Sequence, residues 1–180
     1  MQMVPLRLLT WANLLTALRL LGILPLIYLM LNQQWAGSAV LFTLAALSDY
    51  FDGKLARALN QTSPWGGLFD HATDAAMVAA GCWALAQVEL INGYLCWLIG
   101  AAFIQYMLDS SALAGRTLRT SVIGRSNGVA YFVLLGTAIG SELLGAALIQ
   151  LVVPYAAWLL VASTLISMLD RGWTLLRQLP

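Results

Sequence analysis

Residues 48–74 read SDYFDGKLARALNQTSPWGGLFDHATD. Asp49 and Asp52 stand three apart and Asp70 and Asp74 four apart, intervals that place each pair on one face of a helix. The polar run NQTSPWGG between them carries the Pro and Gly that end helices and start connections. With a connection over 58–65, Asp49 lies eight residues before Arg57 and Asp74 eight residues after Gly66. At a rise of about 1.5 Å per residue, both stand about 12 Å from the turn. Folded as an antiparallel hairpin, the two helices bring four carboxylates to similar depth.

The rest of the chain shows what surrounds those acids. Of 180 residues, 61% are apolar and 9% are charged, and the mean hydropathy is +0.80. A soluble domain carries about 25% charged residues, so the 17 Asp, Glu, Lys and Arg cannot cover a water-facing surface. The composition predicts a protein dissolved in lipid. A net charge of +1 without a basic stripe gives no support to a nucleic-acid partner. Cys82 and Cys96 sit in apolar runs at no metal or disulfide spacing and read as small hydrophobes.

Crossing about 30 Å of hydrocarbon takes roughly 20 mainly apolar residues. Six runs fit, at approximately 9–31, 36–57, 67–88, 92–113, 126–145 and 149–170, with the softest break at GSELLG, 140–145. The fold class expected is therefore all-α, a bundle of six transmembrane helices forming a single domain over 1–180. Arg7, Lys54, Arg57, Arg116, Arg119, Arg125, Arg171 and Arg177 all fall at the termini or in the second and fourth connections, while the other connections carry Glu89 and Glu142. That bias places both termini in the cytoplasm. Arg7 before an apolar stretch resembles a signal peptide, but the stretch is too long and Arg19 interrupts it, so it reads as a retained first helix. MQMVPLRLL reads as an amphipathic lead-in, and Trp and Tyr near span ends as interfacial belts.

An ionisable residue inside a span is costly, which marks it as functional by default. Four carboxylates gathered at partial burial need positive charge. Lys54 and Arg57 offer two cations, yet hard divalent ions suit an oxygen-only donor set better. With no Cys and only His71 nearby, magnesium or manganese is expected rather than zinc. Two such ions sharing bridging carboxylates would form a phosphoryl-transfer clamp. His71, one position off the stripe of acids, reads as packing or as standing near phosphate.

The stretch resembles the signature of the CDP-alcohol phosphatidyltransferase family, DxxDGxxARx8GxxxDxxxD. All eight specified positions are present, Asp49, Asp52, Gly53, Ala56, Arg57, Gly66, Asp70 and Asp74, a coincidence on the order of one in 10^8 at average residue usage. The resemblance implies that Asp49, Asp52 and Asp70 ligate metal, and that Asp74 both approaches the second ion and acts as general base toward an acceptor alcohol. It implies that Gly53, Ala56 and Gly66 let the nucleotide pack against backbone and that Arg57 contacts its diphosphate. Asn13, Thr16 and Arg19 step by three along the first helix, and ANLLTALR resembles the NLLTxxR opening of phosphatidylglycerophosphate synthases in this family, where it lines the nucleotide pocket. The implied reaction is attack by an alcohol on the β-phosphorus of CDP-diacylglycerol with release of CMP, in a homodimer at the bacterial inner membrane with the site facing the cytoplasm.

Arg116, Arg119 and Arg125, with Asp109, surround the fourth connection. They fit the positive-inside pattern, and they are also natural partners for a phosphate on the acceptor. The helix-one opening favours glycerol 3-phosphate. FDHATDAAM departs from the LDPxADK continuation usual in phosphatidylglycerophosphate synthases, and FIQYMLDSSALAG lacks the Arg-rich segment of inositol phosphate synthases. Inositol phosphate, serine and other alcohols therefore stay open. A divalent-cation transporter is a reading from another class, but conduction needs polar residues continuing across the bilayer, and beyond Asp49 and Asp74 the two helices are apolar.

Overall fold

A computed structural model describes residues 10–58, 64–109 and 122–176. These residues form six α-helices: α1 (Trp11–Leu31), α2 (Trp35–Ala58), α3 (Pro64–Gln87), α4 (Tyr94–Asp109), α5 (Val122–Leu144) and α6 (Ala147–Leu176). Each overlaps one apolar run read from the sequence. The largest difference is α6, which continues through the polar Asp170, Arg171 and Gly172. Nothing in that stretch breaks a helix, and hydropathy locates where apolar surface ends, not where hydrogen bonding ends.

The helices alternate in direction, so the bundle has two unlike ends. At one end the connections are tight. Leu29 O, Leu85 O and Ser141 O accept from the backbone N–H of Gln34 (2.8 Å), Leu90 (3.0 Å) and Ala146 (2.9 Å). Gln33, Glu89 and Gly145 supply the positive φ values of 54°, 62° and 62°. This is the six-to-one helix closure with a left-handed residue after the last turn. Gly145 adopts it without steric cost, whereas Gln33 and Glu89 pay a Cβ penalty. Asn92 then starts α4, its Oδ1 accepting from the N–H of Tyr94 and Leu95 at 3.1 and 3.2 Å. At the other end lie the start of α1, capped by Thr10 Oγ1 accepting from Asn13 N at 3.1 Å, and the described ends of α2 through α6. All four signature aspartates lie toward this end.

α1 packs on α2 and α3; α3 also packs on α4 and α5, α2 on α5, and α6 on α4 and α5. Leu26, Met30, Met77, Cys82, Leu85, Leu95, Leu135, Ile139 and Ala157 form the centre of a single buried cluster. Cys82 and Cys96 are buried free thiols within it. Close approach of α3 to α5 depends on Gly81, where a Cβ would stand 2.6 Å from a Leu135 methyl. Small residues at such crossings serve the same purpose in membrane bundles generally.

The outer surface is apolar. Leu24, Trp97, Leu148 and Leu159 are between 71 and 76% exposed, a surface that water would not tolerate and that acyl chains match. α1, α5 and α6 contain stretches long and apolar enough to cross a membrane, Asn13–Leu31, Ile123–Leu144 and Ala147–Thr174, and α4 carries a shorter apolar stretch, Tyr94–Leu108. α2 and α3 have the length but carry the signature's charges. The architecture is that of an all-helical integral membrane protein.

Candidate active site

α2 and α3 both carry their acids in the part nearest the 59–63 connection, and antiparallel packing about α1 brings Asp49, Asp70 and Asp74 together. The group at their centre is Arg19 of α1. Its Nη1 donates to Asp49 Oδ1 at 2.8 Å and also to Asp74 Oδ1, and its Nη2 donates to Asp70 Oδ1 at 3.2 Å. The Arg19 side chain is fully buried, while those of Asp49, Asp70 and Asp74 keep 40, 29 and 22% of their surface exposed. The carboxylates thus face an opening, and the guanidinium backs them from inside.

A buried guanidinium needs paired acceptors, and three half-buried carboxylates need a countercharge. Arg19 meets the first need and part of the second. Lys54 instead lies over the Tyr50 ring, 4.2 Å from its centroid, so among the described residues it is Arg19 that compensates the acids.

Asp70, His71 and Asp74 each offer a ligand atom, all within 4.8 Å of one another. This group can hold a metal ion, and its carboxylate oxygens suit a hard divalent cation. His71 is exposed, with its ring edge-on to Tyr106 at 6.3 Å between centroids.

Other residues singled out from the sequence are placed as follows. Thr16 is buried and Asn13 half-buried on the same helix as Arg19. Gly66 is half-buried in the first turn of α3. Asp52, Gly53, Ala56 and Arg57 belong to α2, but their side chains lie outside the described part of the structure. Arg116 and Arg119 lie outside the described residues altogether, while Arg125 stands in the first turn of α5.

Next to the carboxylates a cavity of about 420 Å³ opens between α3, α4, α5 and α6. Asp49, Asp74, His71 and Arg125 border it, together with Gln105, Tyr106, Asn127 and Arg171. Sequence reading does not single out those last four. Arg171 lies with its guanidinium carbon 5.1 Å from the Tyr106 ring centroid. The available signal is that Gln105 and Asn127 are amides within apolar runs; without knowing which helices meet, that signal does not separate a site from a helix contact.

Carboxylates converging from two helices at one end of a membrane bundle, beside a half-open cavity, mark the candidate site. The CDP-alcohol phosphatidyltransferase family model matches residues 9–169, and the chain belongs to that family. A CDP-diacylglycerol–glycerol-3-phosphate 3-phosphatidyltransferase of Cereibacter sphaeroides is 40% identical over 91 residues, which is 48% of this chain and 40% of the relative. The protein of that name from Pseudomonas fluorescens is 40% identical over 78 residues, 42% of this chain and 40% of the relative. A CMP-forming cardiolipin synthase of Streptomyces coelicolor is 34% identical over 95 residues, 49% of this chain and 44% of the relative. The matched stretches therefore span less than half the length of these relatives.

Proposed function

We propose that the chain transfers a phosphatidyl group from CDP-diacylglycerol to the hydroxyl of a small alcohol, glycerol 3-phosphate first, with release of CMP. The observation that carries this reading is the meeting of Asp49, Asp70 and Asp74 around Arg19, with Asp49 and Asp74 at the border of a cavity. Family membership over residues 9–169 and relatives named for the glycerol 3-phosphate reaction support it. Relatives named cardiolipin synthase favour a second acceptor, an alcohol that is itself part of a lipid.

In the reaction the acceptor oxygen attacks the β-phosphorus, the bond from that phosphorus to the CMP phosphate breaks, and CMP departs. Asp74, which borders the cavity, takes the acceptor proton in this reading; as a carboxylate it works by positioning more than by basicity. Asp49, Asp52 and Asp70 would hold two divalent ions, magnesium or manganese. Bound there, they would neutralise the diphosphate and polarise the attacking hydroxyl. Gly53, Ala56 and Gly66 leave room for the nucleotide, Arg57 pairs with its diphosphate, and Asn13, Thr16 and Arg19 line the same pocket. Arg116, Arg119 and Arg125 supply cations for an acceptor phosphate.

The same reading makes the chain a single membrane domain of six spans with both termini and the site on the cytoplasmic side of a bacterial inner membrane. It works there as a homodimer, where lipid tails stay in the bilayer while cytidine enters from water.

The direct experiment supplies purified protein with CDP-diacylglycerol and Mg²⁺ or Mn²⁺ and screens glycerol 3-phosphate, phosphatidylglycerol, inositol phosphate and serine for CMP release. Release with glycerol 3-phosphate that stops on chelation and returns with either ion is the expected result. Undiminished release from chelator-stripped protein would overturn the metal assignment. Replacing Arg119 or Arg125 should raise the KM for a phosphorylated acceptor more than that for CDP-diacylglycerol; equal effects would remove those residues from the acceptor site.

A further inference from the structure

Three polar side chains border the cavity in a way that the carboxylate site does not explain. Gln105 Nε2 donates to the Met168 carbonyl at 3.0 Å, which leaves Gln105 Oε1 buried without a protein partner. Asn127 Oδ1 accepts from Ser163 Oγ at 2.6 Å, and its buried Nδ2 stands near the Tyr131 hydroxyl without completing a hydrogen bond to it. Tyr106 Oη is likewise buried and unpartnered, while its ring is fixed by Arg171 on one side and His71 at its edge. Tyr106 and Asn127 are only 8% and 5% exposed.

Buried polar atoms are nearly always hydrogen-bonded, so three orphans around one cavity indicate that something else supplies their partners. The character of the three atoms narrows what that is. Met168 and Ser163 fix the two amides so that one presents an acceptor and the other a donor, and the phenol can do both. None is charged. A hydroxyl group, which donates and accepts, satisfies such a set. An ammonium group only donates and would leave Asn127 Nδ2 facing another donor. A cavity of about 420 Å³ also lies within the range typical of small-molecule sites.

We infer that Gln105, Tyr106 and Asn127 form a subsite for the hydroxyl groups of a small polyol acceptor. The inference rests on the transfer reaction proposed above. It adds what that proposal leaves open, namely how an acceptor is chosen. Glycerol hydroxyls are common to free glycerol 3-phosphate and to the phosphatidylglycerol headgroup, so both belong to the class.

The test uses the full chain in lipid nanodiscs with CDP-diacylglycerol and Mn²⁺, following CMP release with glycerol 3-phosphate, phosphatidylglycerol and serine in separate arms. Tyr106→Phe is the cleanest variant, because it deletes an atom that no protein group uses and keeps the ring against Arg171 and His71. It should raise the KM for the polyol roughly three- to tenfold, the range of one hydrogen bond, with the KM for CDP-diacylglycerol unchanged. Gln105→Met should do the same, but it also gives up the bond to the Met168 carbonyl, so it is judged only after its thermal midpoint matches wild type. Asn127→Leu also strips Ser163 of its acceptor, so it is judged only after its thermal midpoint matches wild type.

Whichever polyol arm turns over identifies the source of the hydroxyls. A wild type that works with serine alone would overturn the subsite. So would a Tyr106→Phe variant whose polyol KM is unmoved, or moves together with that for CDP-diacylglycerol; in that event the transfer reaction itself still stands. A wild type that releases CMP with no alcohol would instead remove the transfer reaction, and the subsite with it.

Discussion

The α1–α3 half and the α4–α6 half of this bundle hold polar groups within an apolar surrounding by opposite means. In the first half the means is charge: one buried guanidinium faces three half-buried carboxylates. In the second it is neutral pairing. Tyr131 Oη and Thr164 Oγ1 stand 2.6 Å apart, Ser163 Oγ donates to Asn127 Oδ1 at 2.6 Å, and Gln105 Nε2 donates to Met168 O at 3.0 Å. A neutral pair fastens two helices and leaves at most an uncharged atom over. Among the described residues the cluster sets one cation against three carboxylates, which leaves it short of positive charge. On the proposed function, the first half would serve ions and phosphates and the second would give the acceptor a fixed wall.

If that contrast is right, the first half must fail chemically when a single charge is removed with its shape kept. Asp74→Asn preserves volume and hydrogen-bonding capacity but cannot take up a proton. Turnover measured as CMP release should fall by roughly 10²- to 10⁴-fold, the usual contribution of a positioned general base, while nucleotide binding measured by titration stays largely intact. Wild-type turnover in this variant would remove Asp74 from the base role.

Arg19→Met is the complementary change. It keeps a long apolar stem and leaves three carboxylates without their countercharge. Breaking a buried ionic group by deleting one partner costs about 3 to 5 kcal/mol, so the thermal midpoint in detergent should fall sharply in metal-free buffer. Added Mn²⁺ should recover much of the loss, because a dication supplies the missing charge. A midpoint equally low with and without Mn²⁺ would mean that Arg19 serves by packing and that the cluster is not an ion site.

The contrast also explains what could be read from the chain in advance. Charged residues are so scarce here that Asp49, Asp52, Asp70 and Asp74 stand out against an apolar background, and their spacing implies one face and one depth. Six helices follow from the apolar runs for the same reason. The partner of the acids was less accessible: Arg19 is 30 residues from Asp49 and 55 from Asp74, and only the packing of α1 against both helices makes it their cation. Nor does sequence announce that Gln33 and Glu89 adopt left-handed backbone, since both lack the glycine that normally signals it. The neutral pairs of the second half were least visible, because Ser, Thr, Tyr and Asn occur in many membrane helices and acquire partners only once the register of α5 on α6 is fixed.

That register supplies the mildest test. Tyr131→Phe deletes the hydroxyl that pairs with Thr164 and stands near Asn127, and Thr164 keeps its bond to the Leu160 carbonyl at 2.6 Å. The loss should be about 1 kcal/mol, the net value of one hydrogen bond, or a midpoint lower by roughly 2 to 4 °C for a chain of this size. Unlike the Arg19→Met defect, this one should be indifferent to Mn²⁺, because no charge has been exposed. A Tyr131→Phe midpoint that dropped as far as that of Arg19→Met, or that Mn²⁺ restored, would show the two halves to be one coupled electrostatic unit and would abolish the distinction between them.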